Sequence, residues 1–548
     1  MAKNLAQHVS TRKTPQNAPI PGSQGTRQVE NSAGGFAFKV DKWDRLKRFL
    51  ILGSDRGSYY ASEQKLTADN AQCVQECAKE DFQRTLDTIV SVSDQGQAPK
   101  NDPAILALAL LCSHEPPNSG LAFAQLPKVC RIGTHVFTFV DMLQHLRGRG
   151  RSFRRALQNW YLEKDAKSVA FQVTKYQQRS RWSHKDIFRL VKPKTEDASL
   201  DGVFAYVTGK DWKTKMPEGA ARTYLEAVEL VKNADSKVQV CNLIREYNLP
   251  REVIPTEWLK EPAVWEAMLE RMPATALIRN LGKLSSIDLA KPMSTASGTI
   301  CAKLADGEWL RKSRLHPLAV LVALGIYKQG YGLRGSLTWV PDSNVIDALD
   351  AAFYDCFQHV KPTGKKHMLA IDISGSMTWD TICNTTLTPR DAAAAMAMVN
   401  VRTEAQTLVT AFSAGGTRIG RGRCRWGPGI EVVGDLTKQS RLDHAVNAIN
   451  SKDFGQTDCA LPMLYATQER LDIDTFVVYT DSETWAGDVH PVQALREYRE
   501  KFNPRAKLIV CGMVANEFTI ADPNDAGMMD VVGFDTAAPA VMADFARD

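Results

Sequence analysis

The sequence predicts an α plus α/β molecule, with an all-α front region of stacked helix pairs followed by a doubly wound parallel sheet. Helical spacing of the apolar residues over 37–360 carries the first half of that reading. Short, continuously apolar strands alternating with helices from residue 366 onward carry the second. Charge divides at the same place: there are 16 Lys/Arg and 24 Asp/Glu from His367 on, against 52 and 38 in residues 1–366, beneath an overall +6. A basic front half suits a polyanionic partner, with an inert basic surface as the alternative.

Residues 1–36 are polar, rich in Gln, Asn, Pro, Ser and Gly, and hold no aromatic residue before Phe36. That composition buries too little apolar surface to offset ordering entropy, so a disordered tail is expected over 1–36. Beyond it, Trp43, Leu46, Phe49 and Leu50 fall on one helical face, as do Tyr224, Val228 and Val231. Val240, Leu243, Ile244 and Tyr247 repeat the i, i+3, i+4, i+7 pattern, and breakers such as Pro116-Pro117, Pro193, Pro250, Pro273 and Pro317 separate the segments. Many ordinary helices with short connections point to a solenoid-like array, although no fixed repeat length emerges.

Basic residues cluster within this region. One run holds Arg147, Arg149, Arg151, Arg154 and Arg155 around Phe153; another runs from Lys175 through Arg179, Arg181, His184 and Lys185 with Tyr176 and Trp182 interleaved. Lys175 and Arg179, four apart, are expected on one helix face. A third set comprises Arg311, Lys312, Arg314, Lys328 and Arg334. Any one such cluster is commonly a solvated face, but three with aromatics suit phosphates and unstacked bases of RNA. Ser183 followed by Asp186 also reads as a capping box, which gives His184 a second possible role.

The eleven cysteines form no CxxC pair and total an odd number, favouring a reduced chain. No secretory apolar region opens the sequence, and the longest apolar run, Ala104 to Cys112, is too short to span a bilayer. A soluble, cytoplasmic protein without a membrane partner is expected.

In the back half, Met368 to Ile371 form an apolar strand ending in Asp372-Ile373-Ser374-Gly375-Ser376. Side chains at i, i+2 and i+4 of an extended segment leave on one side, so a carboxylate and two hydroxyls converge. Hard oxygens suit Mg²⁺ first, with Mn²⁺ or Ca²⁺ as alternatives. Further along, the expected elements are a helix over 391–404, a strand over 406–413 and helices over 441–449 and 461–470. A strand over 475–480, a helix over 492–501 and a strand over 507–513 complete the series. Asp372, Thr457 and Asp481 then fall in three loops at the carboxyl ends of strands, where such sheets bind ligands. There is no nucleophile elbow, phosphate-cradling loop or two-metal carboxylate cluster; Gly415-Gly416 and 421–429 are merely glycine-rich. Catalysis is therefore not expected.

Asp372, Ser374, Ser376, Thr457 and Asp481 together resemble the metal-ion-dependent adhesion site of von Willebrand factor A domains. The strings at 48–66, 181–190, 275–283 and 331–335 are similar to the TROVE module of the Ro autoantigen family, and those at 455–463, 480–499 and 508–513 to that family's A domain. The resemblance implies a TROVE HEAT-like helical-repeat ring over 37–362, closed by a Rossmann-like von Willebrand factor A domain over 363–548. It implies one divalent cation held by those five residues with a coordination position open to a partner. It further implies a monomeric RNA quality-control protein with no enzymatic activity. Small structured Y-like RNAs would bind its outer surface at positions matching Lys175, Arg179 and His184, with Arg181 and Lys185 beside them. Single-stranded 3′ ends of misfolded non-coding RNA would enter a basic central hole, for which Arg147, Arg149 and Arg151 are candidates. In bacterial members an exoribonuclease, polynucleotide phosphorylase, is a partner. The competing reading is a metal-dependent protein-interaction scaffold whose A domain captures an acidic partner; a metal-dependent nuclease is a third.

Overall fold

The protein is described here from a computed structural model, covering residues 13–21, 28–53, 63–357, 360–379, 381–382, 385–414, 418–419, 423–424, 429–452 and 455–548. The glycine-rich loops at 415–416 and 421–428 and residues 54–62 of the first TROVE-like string lie wholly or largely outside them.

From Lys42–Leu52 to Ser343–Asp355 the chain is almost entirely helical. Helices adjacent or nearly so in sequence pack together in space: Asp102–Cys112 against Gly133–Gln144 two short helices on, Lys237–Tyr247 against Pro262–Leu269, Pro317–Gln329 against Ser343–Asp355. That is the packing expected of a helical array, each element burying the apolar stripe of the previous one. Side-chain caps start many of these helices. Asp41 accepts from the backbone amides of Trp43 and Asp44, and Ser183 forms a capping box with Asp186.

The A domain is built on a six-stranded sheet ordered Met528–Val532, Lys507–Gly512, Thr475–Thr480, Lys366–Asp372, Gln406–Phe412, Ile430–Val432. All neighbours are parallel except the last pair. Alternation along each buried strand divides two cores. Leu369, Ile371, Val477, Tyr479, Ile509 and Cys511 face the cluster that contains Pro389–Thr403 and runs on into the helical region. Met368, Ala370, Phe476, Val478, Leu508 and Val510 face the other, with Met463, Leu495 and Tyr498. The helix expected from Asp391 begins at Pro389 because Thr388 caps it, in a box with Asp391, and proline suits the first turn. The edge strands Ile430–Val432 and Met528–Val532 were not expected; both are short and only partly buried, so their apolar signal is weak.

The helical region and the A domain meet at both ends of the array. At its start, Arg48 is 1% exposed and grips both carboxylate oxygens of Asp530 at 2.6 and 2.7 Å, while donating to the Phe518 carbonyl at 3.0 Å. At its end, Arg402 of the A domain pairs with Asp350 at 2.6 Å and lies over the Tyr354 ring. His316 ties three segments together: its Nδ1 caps the helix Pro317–Gln329, and its Nε2 lies 3.1 Å from the Gln97 carbonyl and 2.9 Å from that of Phe534. Early helical region, late helical region and A domain thus meet at one imidazole, which closes the ring.

The expectation of a disordered tail fails for its described residues. Gln16 is fully buried; its amide donates to Asp458 at 2.7 Å and to the Val489 carbonyl at 2.8 Å. Gln28–Glu30 and Phe36–Lys39 form a hairpin that continues onto Phe518–Thr519. A Cβ at Gly35 would sit 1.9 Å from the Thr484 carbonyl oxygen, so only glycine allows that approach. Composition misled because this segment orders itself through polar hydrogen bonds to another domain, with little apolar burial.

Candidate metal centre and nucleic-acid interface

The parallel register aligns Ile371 with Tyr479, and the next residues place the ends of two adjacent strands, Asp372 and Thr480–Asp481, side by side. Asp372, Ser374, Ser376, Thr457 and Asp481 are all buried, none above 7% exposed. The Ser374 amide donates to Asp372 Oδ1 at 2.9 Å, and the Thr480 hydroxyl to Asp372 Oδ2 at 2.6 Å. Ser374 and Ser376 hydroxyls lie 3.1 Å apart, and the Ser376 hydroxyl also reaches Asp481. The Gly375 amide donates to the Gly455 carbonyl at 3.3 Å, tying the first loop to the one that carries Thr457. The structure therefore brings all five predicted positions together.

Burial, with Asp481 alongside, pushes the Asp372 carboxyl up to about 7, and burial also raises that of Asp481. Neither forms an ion pair with Lys or Arg among the described residues, and the Thr457 hydroxyl is buried without a hydrogen-bond partner. Two carboxylates without a counter-ion and an orphaned hydroxyl, all hard oxygens, fit a hard divalent cation. Held by these five residues, such an ion would supply a positive charge to an anionic group of a partner.

Sequence reasoning missed Glu483, 3% exposed and two residues past Asp481. Burial and then Asp481 push its carboxyl up to about 8, while the backbone amides of Ser32 and Ala33 pull it down. Asn31 donates to the Thr484 carbonyl at 2.8 Å, and Thr484 donates to Gln16. The amino-terminal segment therefore braces the very loops that carry Asp481 and Thr457.

The predicted RNA-binding residues fare unevenly. Lys175 closes the helix Ala166–Lys175, but Arg179 stands on a small hairpin beyond it, so the two do not share a helix face. Arg179 reaches Asp102 at 3.3 Å across a half-exposed surface; Arg181 and Lys185 are exposed. Arg149 lies over the Trp182 ring at 5.7 Å, which joins the first basic cluster to the second. Arg151 is exposed, whereas Arg147 turns inward to the Cys112 carbonyl.

His184 is a correction. It is 3% exposed, 2.7 Å from the Tyr161 hydroxyl and edge-on to Phe137, and burial holds its imidazole down at about 4. It belongs to the core beneath the hairpin and positions the surface without forming it. Phe153 is core as well, and the third cluster is largely engaged: Arg314 pairs with Asp94, Lys312 with Glu308, Lys328 with Asp443.

A cavity of about 840 Å³ is lined by residues far apart in sequence: Lys100, Arg251, Lys260, Arg279, Lys283, Trp339 and, from the A domain, Thr385 and Thr386. Arg147, Arg149 and Arg151, the candidates for a basic hole, do not line it. Its cations come from a loop (Lys100), two short 3-10 turns (Arg251, Lys260) and one helix, Ala274–Ser286, that carries Arg279 and Lys283 four apart, so no charge run announced them. The signal lay in the TROVE-like string at 275–283, which contains Arg279 and Lys283. Gly282 within it lets Trp339 approach, since a Cβ there would stand 2.7 Å from the indole ring.

Residues 29–326 match the TROVE domain family and residues 366–546 the Ro60 vWA domain family. A protein of Deinococcus radiodurans described as RNA-binding protein RO60 is 39% identical over 549 aligned residues, spanning 100% of this chain and 99% of its own. A Caenorhabditis elegans protein of the same description is 34% identical, over 94% of this chain and 90% of its own. The crystal structure of the Deinococcus radiodurans RO (RSR) protein superposes with a TM-score of 0.67 at 39% identity, covering 92% of this chain and 99% of that one. Full-length likeness, both domain matches in order, and a helical ring closed by an A-type sheet make this chain a member of the Ro60 family of RNA-binding proteins.

Proposed function

We propose that the protein is a non-catalytic RNA quality-control protein of the cytoplasm. In this reading it holds single-stranded 3′ ends of misfolded non-coding RNA in its central cavity and small structured Y-like RNAs on the outer surface around Lys175, Arg179, Arg181 and Lys185. One observation carries it: a cavity whose wall gathers five cations from four separate segments of the chain. Among the described residues, Arg251, Lys260, Arg279 and Lys283 make no ion pair, so they remain available to phosphates. Cations with Trp339 and Leu333 beside them suit a sugar-phosphate chain whose bases need an apolar face. The test is to crosslink and sequence whatever RNA co-purifies with the full chain. Enrichment of small structured RNAs and unprocessed 3′ ends is expected; a purified protein free of nucleic acid, and indifferent to RNA at low ionic strength, overturns the reading.

The oxygen-lined cup favours a second role alongside the first. Burial of all five donors and the orphaned Thr457 hydroxyl suit a cation that presents one anionic group of a partner, such as an exoribonuclease working with the bound RNA. Capture of such a partner should require Mg²⁺ or Mn²⁺ and vanish in Asp372→Ala, with RNA affinity unchanged.

A further inference from the structure

A second cavity, of about 590 Å³, lies between the end of the helix Ala166–Lys175, the turn at 248–252 and residues 268–280. It falls within the roughly 300–1,000 Å³ of small-ligand pockets, the size class of a nucleotide. Four cations line it, Lys175, Arg251, Arg271 and Arg279, against one carboxylate, Glu252. Among the described residues none of these four makes an ion pair, so the excess positive charge is not neutralised from within. Beyond Asn248, Thr275 and Asn280, the rest of the wall is apolar and aromatic. Met268 and Met272 are buried, and the Lys175 ammonium sits 5.1 Å from the Phe171 ring and 5.3 Å from that of Tyr176.

Arg251, Arg279 and Asn280 line this cavity and the central one alike. The two spaces therefore share a wall made of two guanidinium groups and an amide. Lys175 at the far side belongs to the exposed basic surface that also carries Arg179. A chain of phosphates running from the central cavity to that surface would pass cations at every stage.

We propose that this second cavity is a nucleotide pocket. One unstacked base of a single-stranded RNA leaves the path through the central cavity and packs among Tyr176, Phe171 and the two methionines, with its flanking phosphates on Arg251, Arg271 and Arg279. The pocket rests on the RNA-binding reading above and adds a position at which the protein senses the base itself. Planar guanidinium forks suit phosphate, and thioether and aromatic walls accept any base face, so the pocket favours an unpaired nucleotide over a paired one.

The test uses the full chain and an RNA hairpin with a single-stranded oligouridine 3′ tail, carrying one 4-thiouridine at successive tail positions. Crosslinks from one tail position to peptides containing Tyr176 or Met272 are expected. Arg271→Ala, which removes a cation lining this cavity and not the central one, should weaken tail binding roughly tenfold, the worth of about one charge-assisted phosphate contact. Thr275→Trp, at an exposed position on the pocket wall, should do the same by filling it. An abasic nucleotide at the crosslinking position should cost the wild type the same factor and a folded Thr275→Trp nothing, and the wild-type loss is a readout that survives even if Thr275→Trp fails to fold. Unchanged affinity in Arg271→Ala and with the abasic RNA, while Lys260→Glu in the central cavity still weakens binding, would overturn the pocket and leave the RNA-binding reading standing. A wild type that binds no tail at all would sink both.

Discussion

In the A domain, five oxygen-bearing side chains none more than 7% exposed lie in three neighbouring loops, while in the helical ring Arg179 and Arg181 stand in solvent on a two-strand hairpin and Lys185 on the first turn of the helix after it. The first site is held by backbone amides and neighbouring hydroxyls within 3.3 Å, and strand register sets Asp372 beside Asp481. The second is held from below by a buried aromatic-imidazole cluster of His184, Tyr161 and Phe137 that never reaches the surface. A point ligand such as a metal ion needs fixed donors in a dry cup. A polymer needs many exposed cations whose individual positions matter less. The contrast explains why spacing picked out five buried oxygen-bearing residues of neighbouring loops in one region, and in the other a stretch whose residues divide between surface and core.

The largest effect should come from breaking the joint between the two regions. Arg48→Ala leaves Asp530 without its partner and should cost about 3–5 kcal/mol in denaturant unfolding, as loss of one member of a buried ion pair does. A loss below about 1 kcal/mol would mean the regions hold together without it. Next, reversing the cavity cations in Lys100→Glu with Lys260→Glu should lower affinity for a single-stranded tail about a hundredfold. Each lost phosphate contact should also flatten the dependence of log K on log salt by about 0.7. Asp372→Ala should spare that affinity.

The metal centre sharpens the comparison from its own side. Saturating Mn²⁺ should raise unfolding stability by about 2.7 kcal/mol at a hundred times its Kd in the wild type, and by nothing in Ser374→Ala with Ser376→Ala. An equal gain in both would place the ion elsewhere. Acid should then weaken the ring through its buried imidazoles. Burial holds His184 and His316 at about 4 in the folded state, below the 6.5 of a free imidazole. The unfolded chain takes up protons first, so the stability these groups contribute is intact above pH 6.5 and lost as pH falls towards 4. Unfolding free energy measured between pH 7 and 5 should decline less steeply in His316→Gln than in the wild type. The smallest structural effect belongs to Arg179→Ala: its exposed pairing with Asp102 should be worth no more than about 0.5 kcal/mol, while affinity for a Y-like RNA falls measurably. Stability lost without affinity lost would make Arg179 a scaffold residue.

Sequence alone determined what depends on local period and spacing. The apolar strand Thr475–Thr480, for instance, has the bounds that its composition predicts. The string D-x-S-x-S marked the end of the strand Lys366–Asp372, but its hydroxyls meet through a turn that leads into the helix Ser376–Trp379 and not through the alternation of an extended segment. Asp481 follows the neighbouring parallel strand, and Thr457, whose carbonyl accepts from the Trp485 and Ala486 amides, comes from a loop between two helices. Tertiary structure decided everything that rests on contacts between distant segments. Lys100, Arg251, Lys260 and the Arg279–Lys283 pair become one wall only because separate parts of the array face a common space, and charge runs hold no trace of that. His184, polar by composition, went to the core because Tyr161 supplies its hydrogen bond and aromatic rings enclose it. Gln16, in a stretch too polar to fold by itself, is buried because the loops beside Asp481 supply the partners its amide requires. Spacing is a property of one segment, and local geometry follows from it. Burial and charge convergence are properties of pairs of segments, set by which surfaces the closed ring brings together.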